Sequence, residues 1–257
     1  MSNTSNLSFR KLTPQDLGSI LSLQQTIINN LKPEETEFIA HRSRADFEKL
    51  LTPPSGIYGF FDGDKLVAQM ACELPQPGME RGISEFKQQT PNENLVLFEA
   101  IFVDPKYRGH GLMHQMLDRI EHTIHEEDPG RICSIIKIAY DNPASWVSAM
   151  RHGMIISKIG IDPDDDGKVF YLEKTVNTFP LLDNTRGHKS VALKTMLAHP
   201  GVLYTKIEHL LSHGYIGARF DKLAKTLTFV PVSTSLTRQV SVGPGLVSPP
   251  IVPQSRG

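Results

Sequence analysis

The chain has 257 residues, 39% hydrophobic and 21% charged, with a formal net charge of −1. That is the composition of an ordinary soluble globular chain with room for one full domain and an annex, and it gives no ground for a nucleic-acid or membrane partner. The first thirty residues lack the apolar core of a signal peptide, and no run of about eighteen apolar residues could span a bilayer, so cytoplasmic residence is the default expectation.

Leu7 to Leu12 reads as a first strand, and Thr13-Pro14-Gln15-Asp16 starts a helix that carries the apolar positions Leu17, Ile20, Leu21, Ile27 and Ile28. Glu34, Glu35 and Glu37 follow, and Ser43 can cap a second helix through Phe47, Leu50 and Leu51. Ile57 to Phe61 and Leu66 to Leu74 form a hairpin across Asp62-Gly63-Asp64, and a long connection, Pro75 to Asn94, comes next. Leu97, Phe98, Ile101, Phe102 and Val103 then read as a largely buried strand. It runs through Asp104-Pro105-Lys106-Tyr107-Arg108-Gly109-His110-Gly111 into a helix whose apolar stripe is Leu112, Met113, Met116, Leu117, Ile120 and Ile124. Ile132 to Tyr140 is a β-branched, nearly continuous apolar run, as expected of a central strand. It ends at Asp141-Asn142-Pro143, where Asn142 can cap a helix and Pro143 suits its first turn. Met154 to Val176 is a last hairpin. Beyond it, Ser190 to Ala198 and Val202 to Leu211 have helical patterns, Gly214 can end the second of these, and Thr226 to Val232 reads as a strand. Residues 233–257, rich in Ser, Pro and Gly, read as a mobile tail. The resulting division is a domain over 1–176, an annex over 177–232 and the tail.

The strand, two-glycine turn and amphipathic helix have the layout of a phosphate cradle. Glycines let the backbone turn tightly and aim successive amide hydrogens into one space, at the positive end of the helix dipole. An anionic ligand is the first functional expectation, and the alternative is a tight strand-to-helix turn with no ligand. The spacing fits neither a Walker loop nor a three-glycine dinucleotide fingerprint.

Read as Val103-Asp104-Pro-x-Tyr107-Arg108-Gly109-x-Gly111, the segment resembles motif A of the GNAT superfamily of N-acetyltransferases, whose pattern Arg/Gln-x-x-Gly-x-Gly/Ala grips the pyrophosphate of coenzyme A. Arg108 and Gly111 fit, while Met113 stands where the family prefers Gly or Ala. Asn142, Ser145 and Gly153 sit at the spacing of motif B, with Met154 in place of a phenylalanine and Ala149 in place of a tyrosine. The resemblance implies an α/β fold in which helices flank a central mixed sheet. It also implies acetyl-coenzyme A as co-substrate, bound at Phe102, Val103, Arg108, Gly109, His110, Gly111, Leu112, Met113 and Asn142. The implied acceptor is an amine on a small molecule or peptide, and no resident metal is expected.

In many family members the motif B tyrosine protonates the departing sulfur, which an alanine cannot do. A thiolate leaves tolerably unassisted, since a free thiol has a pKa of about 8.5. Tyr140, at the end of the central strand, is the candidate substitute acid, and the alternative is a ring that only packs. Glu99 resembles a glutamate that precedes motif A at the same distance in polyamine acetyltransferases. It is the candidate base, and the alternatives are an exposed face or a structural ion pair. Two other readings of the whole are a coenzyme-binding sensor or scaffold without turnover, and an acyltransferase using another acyl donor or a non-amine acceptor.

Residues 177–257 hold nine Lys and Arg against three Asp and Glu, a balance of +6, leaving −7 for the first 176. Glu34, Glu35 and Glu37 could attract a cationic amine, or be solvated loop charge. Asp162-Pro163-Asp164-Asp165-Asp166-Gly167 with Glu173 matches a calcium-loop pattern, but its flanks are β-branched and aromatic, so a hairpin turn is the expectation. Cys72 and Cys133 fall in predicted strands and read as reduced core thiols. The annex could cover the acceptor side, add a strand to the sheet edge, or bind a partner or a second copy.

Overall fold

The computed structural model describes residues 6–31, 41–76, 94–131, 133–161, 167–175, 178–182, 187–192 and 200–239. The first half contains β1 (Ser8–Lys11), α1 (Leu17–Ile28), α2 (Arg44–Leu50), β2 (Gly56–Asp62), β3 (Lys65–Glu73), β4 (Leu95–Val103) and α3 (Leu112–Glu127). There follow β5 (Cys133–Ala139), α4 (Pro143–Arg151), β6 (Ile155–Ile161), β7 (Lys168–Thr175), β8 (Thr178–Leu182) and β9 (Lys189–Ala192). The last elements are α5 (Pro200–Ser212), β10 (Tyr215–Asp221) and β11 (Thr226–Gln239).

Local chemistry explains the boundaries. Ser43 and Asp46 form a reciprocal capping box at the start of α2, in which the Ser43 amide donates to Asp46 at 2.7 Å and Ser43 Oγ accepts from the Asp46 amide. Asn142 accepts from the Ser145 amide and Pro143 occupies the first turn of α4, as the sequence predicts.

Among the described residues the strands form one mixed sheet in the order β1-β2-β3-β4-β5-β7-β6-β10-β11-β8, with β9 also on β11. β4 and β5 run parallel, joined through α3, and β5 pairs antiparallel with β7. Helices cover both faces. On one, Ile20 and Ile27 of α1 and Phe47 of α2 bury against Ile57, Phe61 and Phe102. On the other, the apolar stripe of α3 and Trp146 of α4 pack with Tyr140, Phe170 and Phe229. Both cysteines are free and buried in strands, in line with the sequence reading, and burial pushes the Cys72 thiol up to about 12.

The annex differs from its sequence pattern. Ser190 to Ala192, the start of the segment predicted as a helix, belong to the strand Lys189–Ala192. It pairs with β11 from Phe229↔Lys189 to Thr226↔Ala192 and buries Val191, so pairing overrides the helical spacing. β8 and β10 were not predicted either, and α5 and Gly214, at φ +75°, fit the expectation. β11 continues to Gln239, seven residues into the predicted tail, because β8 pairs with Thr237, Arg238 and Gln239. Of the roles left open for the annex, the sheet edge is the one seen: β10 joins β6 at Gly217↔Ile156.

The segment matching a calcium-loop pattern has strands on both sides, β6 and β7, not helices. Glu173, its last position, lies within β7 opposite Ile155. Asp162 to Asp166 lie outside the described residues, as do Glu34, Glu35, Glu37, Ile132 and most of Pro75 to Asn94. Among the described residues no helix is long and apolar enough to cross a membrane.

Candidate active site

β4 is a bulged strand. Ala71 of β3 faces Glu99 and Gln69 faces Phe102, so Ala100 and Ile101 together stand against the single residue Met70. Ala100 takes a φ of +48°, a conformation that costs a non-glycine residue of order 1–3 kcal/mol. The parallel pairing of β4 with β5 stops at Phe98↔Ile136, before the bulge. From there the two strands part, and Glu99, Ala100, Ile101 and Val103 become partly exposed in what is otherwise the buried centre of the sheet. The Asp104 amide donates to Val67 of β3, and by strand alternation the Val103 peptide group is turned toward the side that β5 has left. Phe102 itself is 4% exposed in the α1/α2 core, so only its backbone is available to a ligand.

The opening leads to the predicted cradle. Gly109 and Gly111 have φ of +81° and +72°, which only glycine adopts without strain, and a Cβ built on either would meet no atom of the described residues within 4 Å. Gly111 is the residue before α3, a helix of 16 residues whose first amide hydrogens have no helical acceptor. Leu112 and Met113 are buried in the α3 core. The methionine that departs from the family pattern is therefore housed in the core, and only its amide is left for the cradle. Arg108 and His110 are exposed, with Arg108 Nε 3.4 Å from the Val103 carbonyl.

The loop before the cradle is braced by the β2–β3 turn, a contact the sequence did not reveal. Asp104, 2% exposed, accepts from Lys65 Nζ at 2.6 Å and from the Lys106 amide at 2.9 Å, and the Tyr107 hydroxyl donates to Asp62 at 2.5 Å. Burial pushes the Asp104 carboxyl up, but the hydrogen bonds from Lys65 and the Lys106 amide, with the charges of both lysines, outweigh it and hold the group below its ordinary range.

Glu99 is a quarter exposed and its Oε2 is 2.5 Å from Arg42 Nη2, so the ion-pair alternative is present in the structure. Arg42 is itself fixed. The side chain of Gln24 on α1 donates to the Arg42 carbonyl at 2.9 Å and accepts from its amide at 3.1 Å. Tyr140 packs its ring against Phe170 and Tyr204, at centroid distances of 5.1 and 6.0 Å. Its hydroxyl is buried and makes no hydrogen bond within the described residues, and burial first, then the charge of Asp141, push it up to about 12. Ala149 is fully buried in the same core.

The structure thus offers a bulged strand, the end of the β4–β5 pairing, a glycine turn at the start of α3, an ion-paired Glu99 and a Tyr140 hydroxyl without a hydrogen bond among the described residues. Residues 23–154, just over half of the chain, match the family model described as the acetyltransferase (GNAT) family. No curated protein matches the sequence. Among solved structures, yncA from Salmonella typhimurium with its cofactor acetyl-CoA aligns at TM-score 0.51 and 14% identity, over 70% of this chain and 99% of that one. An aminoglycoside acetyltransferase in complex with coenzyme A and kanamycin aligns at 0.50 and 14%, over 66% and 95%. An N-acetyltransferase from Staphylococcus aureus aligns at 0.50 and 12%, over 66% and 98%.

Proposed function

We propose, because this chain belongs to the acetyltransferase (GNAT) family, that it transfers an acetyl group from acetyl-coenzyme A to a primary amine. The observation that carries this reading is the path from the parted strands β4 and β5 to the glycine-cornered N-terminus of α3. A pyrophosphate would be held by the amides from Gly109 to Met113, with Arg108 and His110 beside them and Asn142 at the start of α4. The Val103 peptide group would pair with an amide of the coenzyme arm as one more strand partner.

Acetyl-coenzyme A supplies an activated acyl carbon. A protonated amine has no lone pair for attack, so a base is required, and Glu99 is the carboxylate within the opening. Its carboxylate would take the ammonium proton directly or through a water, the amine nitrogen would bond to the acyl carbon, the sulfur would leave as thiolate, and the second proton that nitrogen loses as the amide forms would pass to solvent. Tyr140 would assist by donating a hydrogen bond to that sulfur. With its hydroxyl near 12 against about 8.5 for a free thiol, complete proton transfer is uphill, and the thiolate would collect its proton from solvent.

The test is release of free coenzyme A from acetyl-coenzyme A on a panel of polyamines, aminoglycosides, amino acids and lysine peptides, with mass spectrometry of the products. An amine-dependent release with an acetylated product supports the reading. Saturable coenzyme binding with no transfer to any amine would identify a binding protein instead.

A further inference from the structure

On the side of α3 facing α4, a cluster of polar groups lies outside the acetyl-transfer site. His114 and Asp118, one turn apart on α3, meet His152, which ends α4. His114 Nε2 is 3.2 Å from Asp118 Oδ2, and His152 Nδ1 is 3.1 Å from Asp118 Oδ1. One donor atom from each of the three residues lies within 4.8 Å of the others. His152 has a side chain only 1% exposed, yet its Nδ1 makes no hydrogen bond, the 3.1 Å approach to Asp118 lacking the geometry of one.

The other nitrogen of that ring is well held. His152 Nε2 is 2.8 Å from Glu121 Oε2, and Lys174 Nζ is 2.7 Å from the same oxygen and 3.0 Å from Nε2. Glu121 is the closer of the two groups at Nε2 and also neutralises Lys174; in the tautomer that places the proton on Nε2 toward Glu121, the Nδ1 lone pair faces Asp118. A lone pair and a carboxylate oxygen at this separation repel unless a proton or a metal ion joins them, and this contact lacks the geometry of a hydrogen bond. Donors on a tetrahedral zinc stand about 3.3 Å apart, at metal distances of about 2.0–2.2 Å, close to the separations of the two imidazoles from the two oxygens of Asp118, and the three groups lie near enough for one metal to draw them onto itself. A buried histidine backed by a glutamate is also the usual outer support of a zinc ligand.

We propose that His114, Asp118 and His152 form a site for one divalent metal of the zinc class, with Glu121 as the residue that orients His152. Two imidazoles and one carboxylate favour zinc, cobalt or nickel over calcium and magnesium, which take all-oxygen shells. His114 and Asp118 are about half-exposed, which leaves a coordination position open to water. Bound there, the metal would staple α3, the helix that begins at the phosphate cradle, to the end of α4.

The test uses the full chain stripped with a chelator and titrated with zinc chloride alone. Calorimetry should show one zinc per chain, the melting temperature should rise by several degrees, and cobalt should give the visible absorption of a tetrahedral site. His114→Ala and Asp118→Asn remove ligands at partly exposed positions, so both should fold with the wild-type circular dichroism spectrum. Each should weaken zinc at least about tenfold and lose the cobalt band. Absence of zinc uptake at 100-micromolar metal, or uptake that both substitutions leave unchanged, would overturn the proposal and leave the cluster as an ion-pair network.

Discussion

Replacing Gly111 with alanine separates the backbone's role from that of space. A Cβ at this position would meet no atom of the described residues within 4 Å, so the cost comes from the φ of +72° alone. For an L-residue the left-handed conformation costs about 1–2 kcal/mol. If the turn keeps its shape, that cost falls on folding and lowers the melting temperature by about 2–8 °C for a chain of this size. If the turn relaxes, the cost is met when ligand restores the cradle, and coenzyme A affinity falls about 5–30-fold. The control is Gly18→Ala in α1, where a Cβ also meets nothing but the backbone is helical. There the same substitution should stabilise by about 0.5–1 kcal/mol and leave coenzyme A binding alone. Calorimetric binding and thermal melts of both variants decide the matter. Wild-type stability together with wild-type affinity in Gly111→Ala would refute the conformational argument for the cradle.

Glu99→Gln keeps the side-chain shape but cannot accept a proton. Coenzyme affinity should stay within a few-fold while the maximal rate near neutral pH drops on the order of a hundred-fold, the deficit shrinking toward alkaline pH as the acceptor amine deprotonates in solution; a loss equal at every pH would point to positioning instead. Asp104→Asn should cost about 1–3 kcal/mol at neutral pH, the worth of hydrogen bonds to a buried charge. Because the folded carboxyl sits below its unfolded value near 3.9, its contribution is complete above that value and lost as pH falls through the lower, folded one. Urea melts should therefore show wild type and variant converging in acid, and parallel curves down to the lowest pH would contradict the assignment. Phe229→Ala in β11 should cost about 3–5 kcal/mol by urea midpoint, since this ring is fully buried in the core shared with Trp146 and Phe170; a cost under about 1 kcal/mol would mean that the annex folds apart from the rest.

The elements around the cradle were legible because their chemistry is local. Ser43, Asn142 and the apolar stripe of α3 each act within a turn or two of their own position, and the structure places them as the sequence predicts. What was hidden depends on partners far along the chain. Arg42 meets Glu99 across 57 positions, and Lys65 meets Asp104 across 39. Nothing near either basic residue announces the pairing. His114 and Asp118 read as ordinary polar positions on α3 until the turn after α4 brings His152 against them. In the annex, the helical pattern read from Ser190 loses over Ser190 to Ala192 to the hydrogen-bonding edge offered by β11.

The bulge at Ala100 links these pieces. Side chains on an unbroken strand alternate, so residues three apart point to opposite faces. Glu99 and Phe102 are three apart, yet Ala71, opposite Glu99, and Phe102 belong to the same α1/α2 core. Phe98 and Ile101 are also three apart, and both pack on the α3 side. One extra residue has reset the alternation. Before it, Val96 and Phe98 satisfy the α3 core in register with β5; after it, the strand bends out of that register, and β5 pairs only as far as Phe98↔Ile136. The same irregularity therefore opens the sheet beyond the Glu99 carboxylate, which pairs with Arg42, and delivers the chain to the glycine turn at the start of α3. A regular strand here would keep β4 and β5 zipped and close the opening that both the proposed base and the proposed phosphate site require.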